Sequence, residues 1–197
     1  MANSRIATSS IVQGFPKSRS MLAGNTAYDP NAFESIATAT GTGSSGTITF
    51  SSIPATYQHL QLRVMAFDTD NTNRLGEIQF NSDTGTNYAR HWLYGDGSTA
   101  AVSGVTTTNR INAWVAWGTS TSNATVAIVD MLDYASTSKY KTVRCLSGTD
   151  RNSTSGEVDL TSGLWQSTSA INSITFKLNN GNFSTSSTFA LYGIKGA

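Results

Sequence analysis

The stretch that decides the fold is GTITFSSIPATYQHLQLRVMA, residues 46–66. In TITF, Ile48 and Phe50 alternate with threonines, and HLQLRVMA repeats the same alternation from Leu60 onward. A period of two buries one face of a strand and leaves the other in water. Pro54 lies between the two segments, and because it lacks a backbone N–H it ends the first strand. The stretch therefore predicts two β-strands that belong to a buried sheet.

The composition favours β-structure along the whole chain. Of the 197 residues only 13% are charged, whereas Ser and Thr together make up roughly a quarter. Thr is favoured in strands, and Ser, Asn and Gly are favoured in turns. Good helix formers such as Glu and Lys are scarce by comparison. We therefore expect an all-β protein whose surface is covered largely by hydroxyl and amide groups.

Charge and hydropathy exclude two classes of partner. The formal net charge is +1, which lacks the concentrated positive charge of a nucleic-acid-binding protein. No segment approaches the roughly 18 consecutive apolar residues of a membrane span, and the N-terminus lacks a secretory signal pattern. We expect no nucleic-acid partner, no membrane partner and synthesis in a cytoplasm. The single cysteine, Cys145, is predicted to be a small buried hydrophobic residue.

Residues 1–32 are predicted to form an extended N-terminal arm. Pro16, Gly24 and Pro30 interrupt any regular element, yet apolar residues are spread along the segment. Such a segment is too broken to pack on itself and too apolar to stay in water. We expect it to dock on a neighbouring subunit or another protein; the alternative is that it lies on its own domain. The residues expected to contact a partner are Ile6, Ile11, Val12, Phe15, Arg19, Met21, Leu22 and Tyr28.

From residue 33 onward, short apolar segments alternate with turn residues at a spacing of about ten residues. The first segment, residues 33–40, is predicted to be a strand, and Asn-Asn-Gly-Asn at 179–182 is predicted to be a hairpin turn. On that first strand, simple alternation places on one face Phe33, Ser35, Ala37 and Ala39. We count about eight to ten strands, which predicts an antiparallel, jelly-roll-like β-sandwich over residues 33–197.

Aromatic side chains are the candidate binding residues of this domain. Trp92 and Tyr94 share one face of a predicted strand, and alternation along residues 109–117 would turn either Trp114 or Trp117 outward. An exposed aromatic residue on a sheet is typical of a subunit interface or of a platform on which sugars stack. For Trp92 and Tyr94 we favour packing in the core or at a subunit interface, and we keep all four residues as candidate interface or glycan-stacking aromatics.

Two motifs resemble ligand-binding loops but lack the neighbouring residues or elements that such loops require. The glycines of residues 41–46 match a dinucleotide-binding loop, but a strand follows them where that fold requires a helix. Residues 68–73 begin like a calcium loop but lack its glycine and its final acid, so we expect a solvated loop. His59 and His91 form no recognisable catalytic pair, although acids from distant strands could still meet in space. We therefore predict no cofactor, no metal and no enzymatic activity.

Four segments of the chain are distinctive in combination: AGNTAYDPNAFESIATAT (23–40), TITFSSIPATYQHLQLR (47–63), IQFNSDTGTNYARHWLYGDGS (78–98) and FALYGIKGA (189–197). Together they resemble a family of small virion structural proteins from tailed phages of aquatic bacteria. The resemblance implies a β-sandwich attached to the virion through its N-terminal arm, and it carries over no catalytic residue. Proteins of this group are described as capsid decoration proteins or as tail-fibre components.

The first functional hypothesis is a capsid decoration, or cement, protein. A homotrimer would be assembled in the host cytoplasm, and its arms would clamp neighbouring subunits of the major capsid protein or another virion protein. The alternative is a tail-fibre or receptor-binding module that recognises glycans on the host surface. An exposed aromatic in a concave, amide-lined surface would favour the alternative, whereas fully buried aromatics would remove its main support.

Overall fold

The computed structural model describes residues 32–70, 73–117, 123–150 and 156–196, without the side chains of 73 and 113–117. Within these ranges the chain forms twelve β-strands, and the predicted all-β class is confirmed. The strands are β1 (Phe33–Thr40), β2 (Thr47–Phe50), β3 (His59–Ala66), β4 (Asn73–Phe80), β5 (Tyr88–Gly95), β6 (Ala100–Thr108), β7 (Ile111–Trp117), β8 (Thr125–Met131), β9 (Lys141–Asp150), β10 (Gly156–Trp165), β11 (Ile174–Leu178) and β12 (Thr188–Ile194). No helix in the described part of the chain is long and apolar enough to cross a membrane.

The strands form two antiparallel sheets, as a β-sandwich requires. The large sheet has eight strands in the order β1-β12-β3-β8-β9-β10-β5-β6, and the small sheet has four in the order β2-β11-β4-β7. We call the face of each sheet that packs against the other sheet its inner face, and the opposite face its outer face. The turn at residues 179–182 is present, with Gly181 at φ 78°, but it joins strands of different sheets. The hairpin predicted there was therefore wrong.

The stretch at residues 46–66 places its apolar residues in the core as predicted. Leu60 and Leu62 are fully buried on the inner face of the large sheet, and Ile48 and Phe50 lie opposite them on the small sheet. The alternating residues of β3 lie on the outer face, where Arg63 and Met65 are exposed and Gln61 is half-buried. Burying this many aliphatic and aromatic side chains is the dominant stabilising contribution to such a fold.

The first strand departs from simple alternation. A register shift in its pairing with β12 occurs between Ser35 and Ala37, so one extra residue enters the strand. Ala37 consequently packs against the core, whereas Phe33 lies on the outer face with its ring 5.4 Å from that of Tyr192. The prediction that Phe33 and Ala37 share a face was wrong, because a bulge moves the following residues to the opposite face.

Two hairpins extend the large sheet sideways. The β5–β6 hairpin follows β4, the β9–β10 hairpin follows β8, and the two meet through antiparallel pairing of β10 with β5. Strand β7 at the edge of the small sheet reaches the inner face of β10. There the Ile111 side chain packs so closely on Gly163 that a Cβ added to this glycine would lie 2.7 Å from Ile111 carbons. The large sheet is thus twice as wide as the small one, and its outer face runs unbroken across the added strands.

Candidate functional site

A row of exposed aliphatic side chains crosses five strands on the outer face of the large sheet. Direct cross-strand pairing places them side by side in the order Ile128, Leu146, Leu160, Leu93 and Val102. Their exposed fractions run from 43% for Ile128 to 78% for Val102. Because neighbouring strands lie about 4.8 Å apart, the row is continuous and roughly 20 Å long.

A second row lies two residues further along β8, β9 and β10 and continues onto β3. Met65, Val126 and Val158 are its aliphatic members, and Gly148 separates Val126 from Val158. Val158 is 59% exposed and Val126 is 54% exposed. We call the two rows together, with their eight aliphatic side chains, the aliphatic face. A patch of this size on one side of a sheet is characteristic of a surface that another molecule covers.

A polar row borders the aliphatic face. Cross-strand pairing aligns Asp130, Arg144, Ser162 and His91 along the four strands β8, β9, β10 and β5. The Arg144 guanidinium donates to Asp130 Oδ2 at 3.1 Å, so these two charges neutralise each other beside the apolar residues. The outer face therefore combines an uncharged centre with a polar rim, which is the usual anatomy of a protein interface.

The aliphatic face is slightly concave at two places. A shallow depression of about 550 Å³ lies over β10, β5 and β6, where Leu93, Val102 and Leu160 line it together with His91. A smaller one of about 250 Å³ lies beside it, with Leu160 shared between them. Both depressions open outward along the border between the first aliphatic row and the polar row, where side chains of a covering surface could enter.

The aromatic residues predicted at Trp92 and Tyr94 lie on the inner face of β5. Their rings stack on each other, with centroids 5.2 Å apart and planes inclined by 18°. Trp92 Nε1 donates to Asp159 Oδ1 at 3.1 Å, and the Arg90 guanidinium lies 5.8 Å from the Trp92 ring centroid. Burial raises the pKa of Asp159, and the Trp92 hydrogen bond offsets part of that rise. Both rings are half-buried and already contact the protein's own groups.

The other predicted contact residues are not placed by the structure. Trp114 and Trp117 belong to β7, but their side chains lie outside the described residues. A register shift between Gly76 and Glu77 interrupts the pairing of β4 with β7, so the uninterrupted alternation assumed for β7 was wrong. The eight arm positions also lie outside the described residues: Ile6, Ile11, Val12, Phe15, Arg19, Met21, Leu22 and Tyr28.

Asp68, the first residue of the predicted solvated loop, is buried, whereas Asp70 is exposed as expected. Asp68 is only 1% exposed and forms a buried ion pair with Arg74, whose guanidinium also donates to Asp70 Oδ2 at 2.7 Å. A carboxylate held this way is neutralised by arginine, which departs from the expectation of full solvation. In the part of the chain that the structure describes, no group of three or more potential ligands could hold a metal ion.

His59, His91 and Cys145 contact the protein's own backbone and core. His59 Nδ1 accepts the Asp133 backbone N–H at 3.0 Å, and the His91 ring lies over Gly104 on the outer face. Cys145 is fully buried as predicted, and burial raises the pKa of its thiol.

The aliphatic face itself was missed by the sequence reasoning. The available signal was the composition of strands such as TVAIVDM, where apolar residues occupy both alternating positions. Such a strand has an apolar outer face as well as an apolar inner one.

Comparisons of the chain with protein-family models, with curated proteins and with solved structures find no match.

Proposed function

We propose that this protein is a structural component of a tailed-phage virion, most specifically a capsid decoration protein without catalytic activity. In this proposal the β-sandwich is the body of the protein, and residues 1–32 attach it to neighbouring subunits of the major capsid protein or of another virion protein. The proposed assembly is a homotrimer.

The strand pairing is the observation that carries this proposal. Without the two added hairpins, eight strands remain, and they pair as β1 with β12, β2 with β11, β3 with β8 and β4 with β7. This is the pairing of one long antiparallel ribbon folded over on itself, which supports a jelly-roll assignment. Jelly rolls are a common architecture of viral coat proteins and of lectins.

The position of the first strand supports attachment through the arm. Strand β1 forms one edge of the large sheet, and the Ala32 carbonyl accepts the Lys195 N–H at 3.0 Å just before it. A segment that enters at a sheet edge can extend away from the body without crossing the core. Its apolar side chains would each contribute burial at about 25 cal/mol per Å², before ordering costs are subtracted. Repeating that contact around a threefold axis would add avidity.

Binding to purified capsids tests this proposal. We expect the full chain to co-sediment with capsids, and the double variant Phe15→Ser, Leu22→Ser to bind at least tenfold more weakly because two apolar contacts are lost. The matched control, Ser18→Ala with Ser20→Ala, changes the same segment without removing an apolar side chain and should bind normally. Undiminished binding of the apolar-to-serine variant would exclude the arm as the clamp.

A second candidate is a tail-fibre module that recognises host-surface glycans. Lectin domains also have the jelly-roll fold. In this protein Tyr94 is a half-buried aromatic residue that lies across from Asp159 on the neighbouring strand. Because Trp92 and Tyr94 already stack on each other, only part of either ring could meet a sugar. Titration of the full chain with purified host surface polysaccharide tests this candidate. Saturable binding in calorimetry that the Tyr94→Ala substitution abolishes would support this candidate. A titration that releases no heat of binding would exclude it.

A further inference from the structure

We propose that the aliphatic face packs against the same face of a second copy of this chain. The contact would be a sheet-on-sheet pairing about a twofold axis that lies near Leu160, the central residue of the five-residue row. This contact depends only on the described outer face, so it would form whether or not the protein belongs to a virion.

The area of the face matches one side of a stable interface. Its eight side chains are between 41% and 78% exposed. Taking roughly 150–200 Å² for a fully exposed aliphatic residue, these fractions amount to roughly 700 Å², close to the ~800 Å² per partner of a standard interface. The largest apolar patch of a typical monomer is about 300–600 Å². The face is thus larger than a monomer usually leaves in water.

The shape of the face favours a sheet as its occupant. Its two registered rows together span six strands, and shallow depressions lie beside Leu160 along the border with the polar row. Two sheets pack face to face about 10 Å apart when side chains from both interdigitate in this way. A second copy supplies a surface of the same width, curvature and chemistry.

The charges of the face are compatible with self-pairing. Its eight positions are uncharged, and the bordering Asp130 and Arg144 already neutralise each other at 3.1 Å. Arg63 at the end of the row lies 5.3 Å from both the Phe33 and Tyr192 ring centroids, so its charge is held away from the apolar centre. The charges of Asp130 and Arg144 would therefore enter the contact as a pair, which avoids the cost of burying either charge alone.

The N-terminal arm is a poorer match for this surface. A single extended segment is about one strand wide and would cover one of the two rows, whereas a facing sheet covers both. The arm is also interrupted at Pro16, Gly24 and Pro30, which prevents a regular alternation of apolar residues against the rows.

Twofold pairing of the aliphatic face would double the mass of the assembly in solution. If the chain also forms the homotrimer of the proposed function, pairing of faces doubles that assembly, and otherwise it yields a dimer. In both cases loss of the face should halve the mass of the particle in solution.

The test is sedimentation velocity on the full chain over a wide concentration range, comparing wild type with Leu160→Glu. Leu160 is 44% exposed in the single chain, so a glutamate there is compatible with folding, but it places two like charges at the twofold axis. Thr49→Glu, on the exposed outer face of the small sheet, is the matched control. We expect the mass of Leu160→Glu to be half that of wild type and of Thr49→Glu.

Cross-linking provides a second readout that does not depend on destabilising the contact. Leu160→Cys should form a covalent pair with a short bismaleimide, whereas Thr49→Cys should not, and the buried native Cys145 should stay unmodified. A wild type that is monomeric at every concentration overturns the proposal. So does a Leu160→Glu variant with wild-type mass, or a Leu160→Cys variant that gives no cross-link.

Discussion

Replacing Tyr88 by phenylalanine tests how far buried hydrogen bonds at the end of β5 stabilise the fold. Tyr88 is fully buried, and its hydroxyl accepts the Phe80 backbone N–H at 3.0 Å and donates to the Asp83 carbonyl at 3.0 Å. Its ring stacks near Trp165, with centroids 6.4 Å apart. Tyr88→Phe retains that ring packing but removes both hydrogen bonds and leaves a buried N–H without its acceptor.

The expected cost follows from the unsatisfied donor. Leaving a buried polar group unpaired typically destabilises a protein by about 1–3 kcal/mol, so we expect about 2 kcal/mol for Tyr88→Phe. For a chain of this size that corresponds to a drop in Tm of about 4–8 °C. Urea unfolding should show a lower midpoint with an unchanged slope, since the exposed surface does not change. Tyr140→Phe, at a position that is 55% exposed, is the control and should lie within about 0.5 kcal/mol of wild type.

The phenol also gives this prediction a pH signature. Burial raises the pKa of Tyr88 to about 12, whereas an unfolded tyrosine titrates near pH 10. The stability linked to the neutral phenol is complete below about pH 10 and is lost as the pH rises through about 12. The stability difference between wild type and Tyr88→Phe should therefore shrink over that interval. A Tyr88→Phe variant as stable as Tyr140→Phe, with no change in this interval, would refute the reasoning.

Three further predictions concern other buried groups. Arg74→Met should cost about 3 kcal/mol in urea unfolding because it leaves the Asp68 carboxylate buried without its partner, and adding Asp68→Asn should recover part of that loss. Cys145 should react with a thiol reagent only on the timescale of unfolding, since it is fully buried and burial raises its pKa; fast labelling of the native chain would contradict this. Gly163→Ala should lower Tm because its Cβ would lie 2.7 Å from Ile111 side-chain carbons, and combining it with Ile111→Val should restore part of the loss.

The candidate functional residues could be predicted only where a local pattern determined them. Alternation placed Trp92 and Tyr94 on one face of β5, and both do lie on its inner face. The same reasoning failed for Phe33, because a single inserted residue reverses every later position of a strand. It also missed the ion pair of Asp68 with Arg74, since a spacing of acids does not reveal which cation will meet them.

The sequence by itself determined the all-β class, the positions of the strands and most of the residues that turn inward, because these follow from an alternation of period two and from local turn chemistry. The tertiary structure alone decided that the two hairpins would meet through β10 and β5 and that Ile128, Leu146, Leu160, Leu93 and Val102 would stand in one row. Each of these residues lies on a different strand, and the hydrogen-bond register that aligns them is set between segments far apart in the chain. Local periodicity shows which residues of one strand share a face. Only the pairing of strands shows which residues of different strands lie side by side and form a continuous surface.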